Sequence, residues 1–92
     1  MFGLCMKALA EAVVESAAFL ELSCDGVIDP DSAVRALESI SHSLQNASDE
    51  EKQALLDYCR EHAAKLSGAR SPEEQKRRDF YREFGEASGL ID

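Results

Sequence analysis

The stretch from Leu4 to Leu22, LCMKALAEAVVESAAFLEL, constrains the fold more than any other. Only Lys7, Glu11, Glu15, Ser16 and Glu21 in it carry polar side chains. Lys7, Glu11 and Glu15 recur every four positions, so on a helix they form one narrow stripe. The rest of the circumference is almost entirely apolar, and such a helix must be surrounded. The expectation is a central helix wrapped by the remainder of the chain. A homodimer seam along the same helix is a compatible expectation, because Ala8, Ala10, Ala12, Ala17 and Ala18 are small enough for close helix approach.

The wrapping is marked out by paired stop and start signals. Asp25-Gly26 makes a turn after the first helix, and Asp29-Pro30 supplies an acidic cap followed by proline at the first helical position. The second helix carries Ala33, Val34, Leu37, Ile40 and Leu44 as its apolar stripe, with Arg35, Glu38, His42 and Gln45 towards water. Ser48-Asp49-Glu50-Glu51 reads as a capping box. The third helix then places Leu55, Cys59, His62, Ala63 and Leu66 on one face, and Gly68 offers a left-handed residue to close it. Ser71-Pro72-Glu73-Glu74 repeats the start signal. The last helix has only Phe80, Tyr81 and Phe84 as apolar anchors before Gly85, which is expected to end it. Leu90 and Ile91 in the 87–92 tail are left to dock on the bundle or stay loose.

No run alternates with period two over a useful length, so no strand is expected. The prediction is an all-α, compact four-helix bundle with helices at about 4–22, 30–45, 49–66 and 72–84, forming one helical domain over residues 1–92. Helices 1 to 3 are expected to share the core, with helix 4 least securely anchored.

The net charge of −8 narrows the partners. Residues 1–46 hold seven acidic side chains against two basic ones, so the excess lies in the first half. Such a field repels nucleic acid and anionic lipid, and neither is expected to bind. No apolar run is long enough to cross a membrane. Cys5, Cys24 and Cys59 are odd in number and scattered, which fits a reducing, cytoplasmic setting rather than a disulfide framework.

Three patterns invite a chemical reading. Glu21, Ser23, Asp25, Gly26, Ile28 and Asp29 fall at positions 1, 3, 5, 6, 8 and 9 of a twelve-residue calcium loop. Over about 30 residues the segment resembles an EF-hand helix–loop–helix. It departs from that pattern with Glu at the first ligand position and Ser32 where a bidentate Glu belongs. The resemblance implies an ion-responsive element; an Asp-Gly turn followed by an Asp-Pro cap accounts for the same residues without metal. The helix, Asp-Gly, apolar, Asp-Pro, helix order is also similar to a turn in tellurite-resistance-type helical domains.

Cys59 and His62 share a helix face and, with Cys5 or Cys24, have the donors of a zinc site, but no CxxC pair exists. Both lie on the apolar stripe, so a small buried hydrophobe and a backbone-bonded histidine are the simpler reading. No metal or cofactor is expected. Lys76-Arg77-Arg78, with Arg70 and Arg82, is the single basic cluster. Glu73, Glu74, Asp79 and Glu83 interleave with it, as on a salt-bridged, solvated helix face.

No nucleophile is paired with a base, and the carboxylates sit on helix surfaces where ordinary pKa values are expected. An enzyme is therefore not expected. The expected function is protein contact: a small acidic binding module, of the immunity or antitoxin kind, that occupies a basic partner protein. Glu11, Glu15, Glu21, Asp25, Asp29, Asp31 and Glu38 are the expected partner-binding residues. The alternative is an ion- or ligand-responsive sensor or adaptor built on the degenerate loop Glu21–Ser32.

Overall fold

A computed structural model describes the backbone of residues 2–23 and 26–87, and the side chains of residues 6–23 and 26–86. Four helices follow one another: α1 (Phe2–Leu22), α2 (Pro30–Leu44), α3 (Asp49–Lys65) and α4 (Pro72–Ala87). The protein is an all-α four-helix bundle, and no strand occurs among the described residues.

Each start signal works as the local chemistry requires. Asp29 Oδ2 accepts from both the backbone N–H and the hydroxyl of Ser32, at 3.0 Å each, and Pro30 opens α2. The capping box of α3 is complete. Ser48 Oγ accepts from the Glu51 N–H at 3.1 Å, and Glu51 Oε1 accepts from the Ser48 N–H at 2.8 Å. At α4, Ser71 Oγ accepts from the Glu74 N–H at 3.2 Å. These bonds satisfy donors that a helix start leaves without partners.

Two stop signals behave otherwise. Gly68 does not adopt the left-handed conformation. Instead α3 closes by tightening: the Leu66, Ser67 and Ala69 N–H groups each reach back three residues, at 3.0 to 3.2 Å. Gly85 does not end α4, which continues to Ala87 with Gly85 buried within it. Glycine costs about 1 kcal/mol in a helix interior, and tertiary packing overrides a preference of that size.

α1 is the central element, packed against α2, α3 and α4. Its buried face is the small-residue face: Ala10, Val14, Ala17 and Ala18. Leu55, Tyr58 and Cys59 of α3 and Tyr81 and Phe84 of α4 close over it. The expectation about α4 is therefore corrected. Tyr81 and Phe84 are core residues, 4% and 5% exposed, and α4 packs firmly on α3 as well as on α1. The peripheral helix is α2. It packs chiefly on α1, and Ala33 is its one fully buried residue, with Leu37, Ile40 and Leu44 half-buried against the core. Because α2 has a neighbour on one side, Val34 is left 53% exposed although it belongs to the apolar stripe.

α1 is not fully wrapped either. Leu9 and Phe19 are 62% and 53% exposed, on a face where Ala12 and Ser16 also lie open. No described helix is long and apolar enough to cross a membrane.

Candidate functional site

α2 and α4 flank α1 without closing on each other, and a cleft of about 820 Å³ opens between them. Its apolar floor is Leu22 at the end of α1, Leu37 of α2, and Phe80 and Phe84 of α4. The rings of the last two meet at a tilt of 55° at the helical four-residue spacing, with centroids 5.6 Å apart. Val34 forms an exposed apolar lip on the α2 side.

Four carboxylates rim this floor: Glu21 from α1, Glu38 from α2, and Asp79 and Glu83 from α4, all exposed. Lys76 and His42 are the basic groups of the rim. Asp79 accepts from Arg78 Nε at 3.4 Å. Among the described residues, the carboxylates of Glu21, Glu38 and Glu83 make no hydrogen bond or ion pair. The cleft thus combines an apolar bed with unneutralised negative charge on both walls.

The expected partner-binding residues divide among several places. Glu21 and Glu38 come together at the cleft. Glu11 is exposed on α1, away from it, and Asp31 is exposed in the first turn of α2. Asp29 is engaged in capping α2. Asp25 lies outside the described residues, as do the side chains of Cys5 and Cys24 and the tail beyond Ala87. Ala10, Ala17 and Ala18 of the small-residue seam are inside the bundle, while Ala8 and Ala12 are exposed.

Glu15 is taken up within the chain. Its Oε2 accepts from Tyr58 Oη at 2.8 Å and from Tyr81 Oη at 2.6 Å. Its Oε1 accepts from Arg77 Nη1 at 3.0 Å, and the same nitrogen donates to Tyr81 Oη at 3.1 Å. One carboxylate on α1 therefore ties α3 and α4 together. Its acidity departs from the ordinary value expected of a helix surface. Partial burial pushes the carboxyl up, but the hydrogen bonds from Tyr81 and Tyr58 and the Arg77 charge outweigh it, and the pKa is lowered. The two phenols move the other way, raised by burial and by donating to Glu15.

Arg77 is thereby removed from the basic cluster; of the others, Lys76 lies at the cleft, Arg78 pairs with Asp79, and Arg70 and Arg82 are exposed. The Cys59 thiol is buried and pushed up to about 12, chiefly by burial. The Nδ1–H of His62 donates to the Tyr58 carbonyl at 3.0 Å, and its ring stacks on Tyr58 at 3.9 Å. No group of three metal-ligating side chains is assembled among the described residues.

Lys76, Asp79 and Glu83, which the sequence pattern assigns to a solvated face, are site residues, and Phe80, expected as an apolar anchor of α4, lines the cleft beside them. Residues 76, 79, 80, 83 and 84 follow the three-and-four spacing, so they share one face of α4. A phenylalanine pair flanked by acids on that face was the available signal. No family model, curated protein or solved structure matches the chain.

Proposed function

We propose that this protein is a non-catalytic binding module, cytoplasmic and of the inhibitor kind that immunity and antitoxin proteins exemplify, acting by occupying a basic partner protein. The observation that carries this reading is the convergence of Glu21, Glu38, Asp79 and Glu83, from three helices, around one apolar cleft. Apolar area supplies affinity, and unneutralised carboxylates speed the approach of a basic surface and reject acidic competitors. The field of the whole chain, at net −8, acts in the same direction.

The test is capture from the native host at low and high salt, by the wild type and by a Glu38→Lys/Glu83→Lys variant. A partner held at low salt, released at high salt and lost by the variant is expected. Capture indifferent to both salt and variant sinks the acidic-surface reading.

Self-association is the second reading, supported by the open α1 face carrying Leu9 and Phe19. Sedimentation equilibrium measures it: a concentration-dependent mass that falls to the monomer in Leu9→Lys is expected, and a monomer at every concentration removes it.

A further inference from the structure

We infer that the cleft between α2 and α4 receives a cationic amphipathic α-helix of the partner, about three turns long, seated apolar face down; this rests on the protein-binding reading above. The dimensions come from the walls. The α2 wall runs from Val34 to Gln45, about 16 Å at the helical rise of about 1.5 Å per residue. That length spaces three successive apolar anchors of a helix at i, i+3 or i+4, and i+7. Leu37 and Phe80 face each other's helices as apolar lining of the cleft, with Val34 open at its lip.

The backbone argues for a helix over an extended segment. An extended peptide gains its main-chain hydrogen bonds from a free sheet edge. Both walls here are helices, whose main-chain groups are already paired within themselves, so an extended peptide finds none to bond. A helix brings its backbone already satisfied and needs apolar contact alone.

Charge fixes the sign of the occupant. Glu38 stands on the α2 wall, Asp79 and Glu83 on the α4 wall, and Glu21 at the α1 end; Lys76 on the α4 wall and Arg78, which pairs with Asp79, offset part of this charge and leave the rim net negative. A helix with lysine or arginine on both flanks of its apolar stripe meets a carboxylate on each side. A second copy offering the same acid-rimmed cleft, an anionic lipid surface or a nucleic acid is opposed by the same charges.

The probe is a synthetic amphipathic peptide with leucine at helical spacing and lysine elsewhere. Its controls are a peptide of the same composition with the leucines scrambled, and one with glutamate in place of lysine. Binding is followed by peptide fluorescence anisotropy, peptide helicity by circular dichroism, and location by amide shifts of the full-length protein. The expected result is induced helicity, shifts centred on Val34, Leu37, Phe80 and Glu83, and binding at least about tenfold tighter than either control. Val34→Lys, at an exposed position that leaves the core intact, weakens binding about tenfold, whereas Leu9→Lys on the open α1 face does not.

Equal binding of the scrambled peptide, or shifts centred on Leu9 and Phe19, overturns the inference. So does peptide binding that appears only after residues 88–92 are deleted, which identifies the chain's own C-terminal segment as the occupant. A salt-sensitive host partner that ignores Val34→Lys sinks the cleft while leaving the broader binding reading intact; absence of any captured partner sinks the broader reading itself.

Discussion

The Tyr81 hydroxyl of α4 donates a 2.6 Å hydrogen bond to Glu15 of α1, across 66 positions of sequence. Tyr58 and Arg77 complete the shell around that carboxylate. Three helices therefore meet on one acceptor, in a bundle whose core is otherwise built from alanine, valine, leucine, cysteine and aromatic side chains. Replacing Glu15 by Ala leaves two phenols, at Tyr58 and Tyr81, without their acceptor. The expected loss is about 1–2 kcal/mol in urea unfolding, at the low end of what an orphaned buried donor costs because the side chain is 37% exposed. Tyr81→Phe removes one donor and is expected to cost about 1 kcal/mol. The two losses are expected to be non-additive, since both substitutions act on the same bonds.

The same shell sets a pH dependence. The Glu15 carboxyl is lowered from 4.5 in the folded state. A group whose folded pKa is depressed contributes stability above its unfolded value and loses it as pH falls through the folded one. The contribution of Glu15 is thus expected to be complete above about pH 5 and to fade below 4.5. Other carboxylates protonate in that range too, so the informative quantity is the stability difference between the wild type and Glu15→Gln. That difference is expected to be flat from pH 7 to about 5 and to shrink on further acidification. A difference that grows in acid contradicts the assignment.

Asp29 offers a separate check on the loop that resembles a calcium site. Its carboxylate holds the Ser32 N–H and hydroxyl at 3.0 Å, so it acts as the cap of α2. Asp29→Ala is expected to cost about 1 kcal/mol, the usual loss for a removed cap. The loss is expected to be the same with and without millimolar calcium, and titration calorimetry of the wild type with calcium is expected to show no heat. A calcium-dependent melting temperature that Asp29→Ala abolishes would falsify this and revive the sensor alternative.

What the sequence made legible is what is local. Asp29-Pro30, Ser48 with Glu51, and Ser71-Pro72 each place a cap and its target within three residues, and all three helix starts follow from them. Gly68 does not close α3 in the left-handed conformation and Gly85 does not end α4, because a glycine permits a stop without requiring one and packing decides otherwise. The cluster on Glu15 was out of reach because its partners lie 43, 62 and 66 positions away, and nothing in a single sequence pairs them. Local acid excess points to Glu21 and Glu38, but the bases interleaved with Asp79 and Glu83 hide those two. Asp79 lies three residues from both Lys76 and Arg82, and such interleaving of acids with bases is also that of an ordinary helix surface; only the bundle's open side shows which face Asp79 and Glu83 present.

Cys59 sits 3% exposed in the core with its thiol pushed up to about 12. A thiol so protonated and so covered is a poor nucleophile at neutral pH. In native protein, iodoacetamide alkylation of Cys59, read by peptide mass spectrometry, is expected to be slower than that of a free thiol in a peptide by at least about a hundredfold. It is expected to accelerate with urea in step with global unfolding. Cys59→Ala leaves a small cavity in the buried core and is expected to cost about 1–2 kcal/mol, whereas a reactive or metal-bound thiol would announce itself by rapid labelling or by release of metal on alkylation.

α2 is the element with least to hold it, and its opening should be separable from global unfolding. It has one close neighbour, one fully buried residue and a cleft on its far side, while α1, α3 and α4 share the aromatic core and the Glu15 shell. Local stability follows buried contact, so regions with little of it open at lower free energy. Native-state hydrogen exchange is expected to show α2 amides from Leu37 to Leu44 exchanging through an opening that costs less than unfolding, with the amides around Val14, Tyr58 and Tyr81 exchanging last. A cationic helix seated in the cleft bridges α2 to α4 and is expected to raise the α2 protection towards the global value, leaving the α3 amides unchanged. Uniform protection across all four helices would mean that α2 is held as tightly as the rest, and that the open side of the bundle does not weaken it.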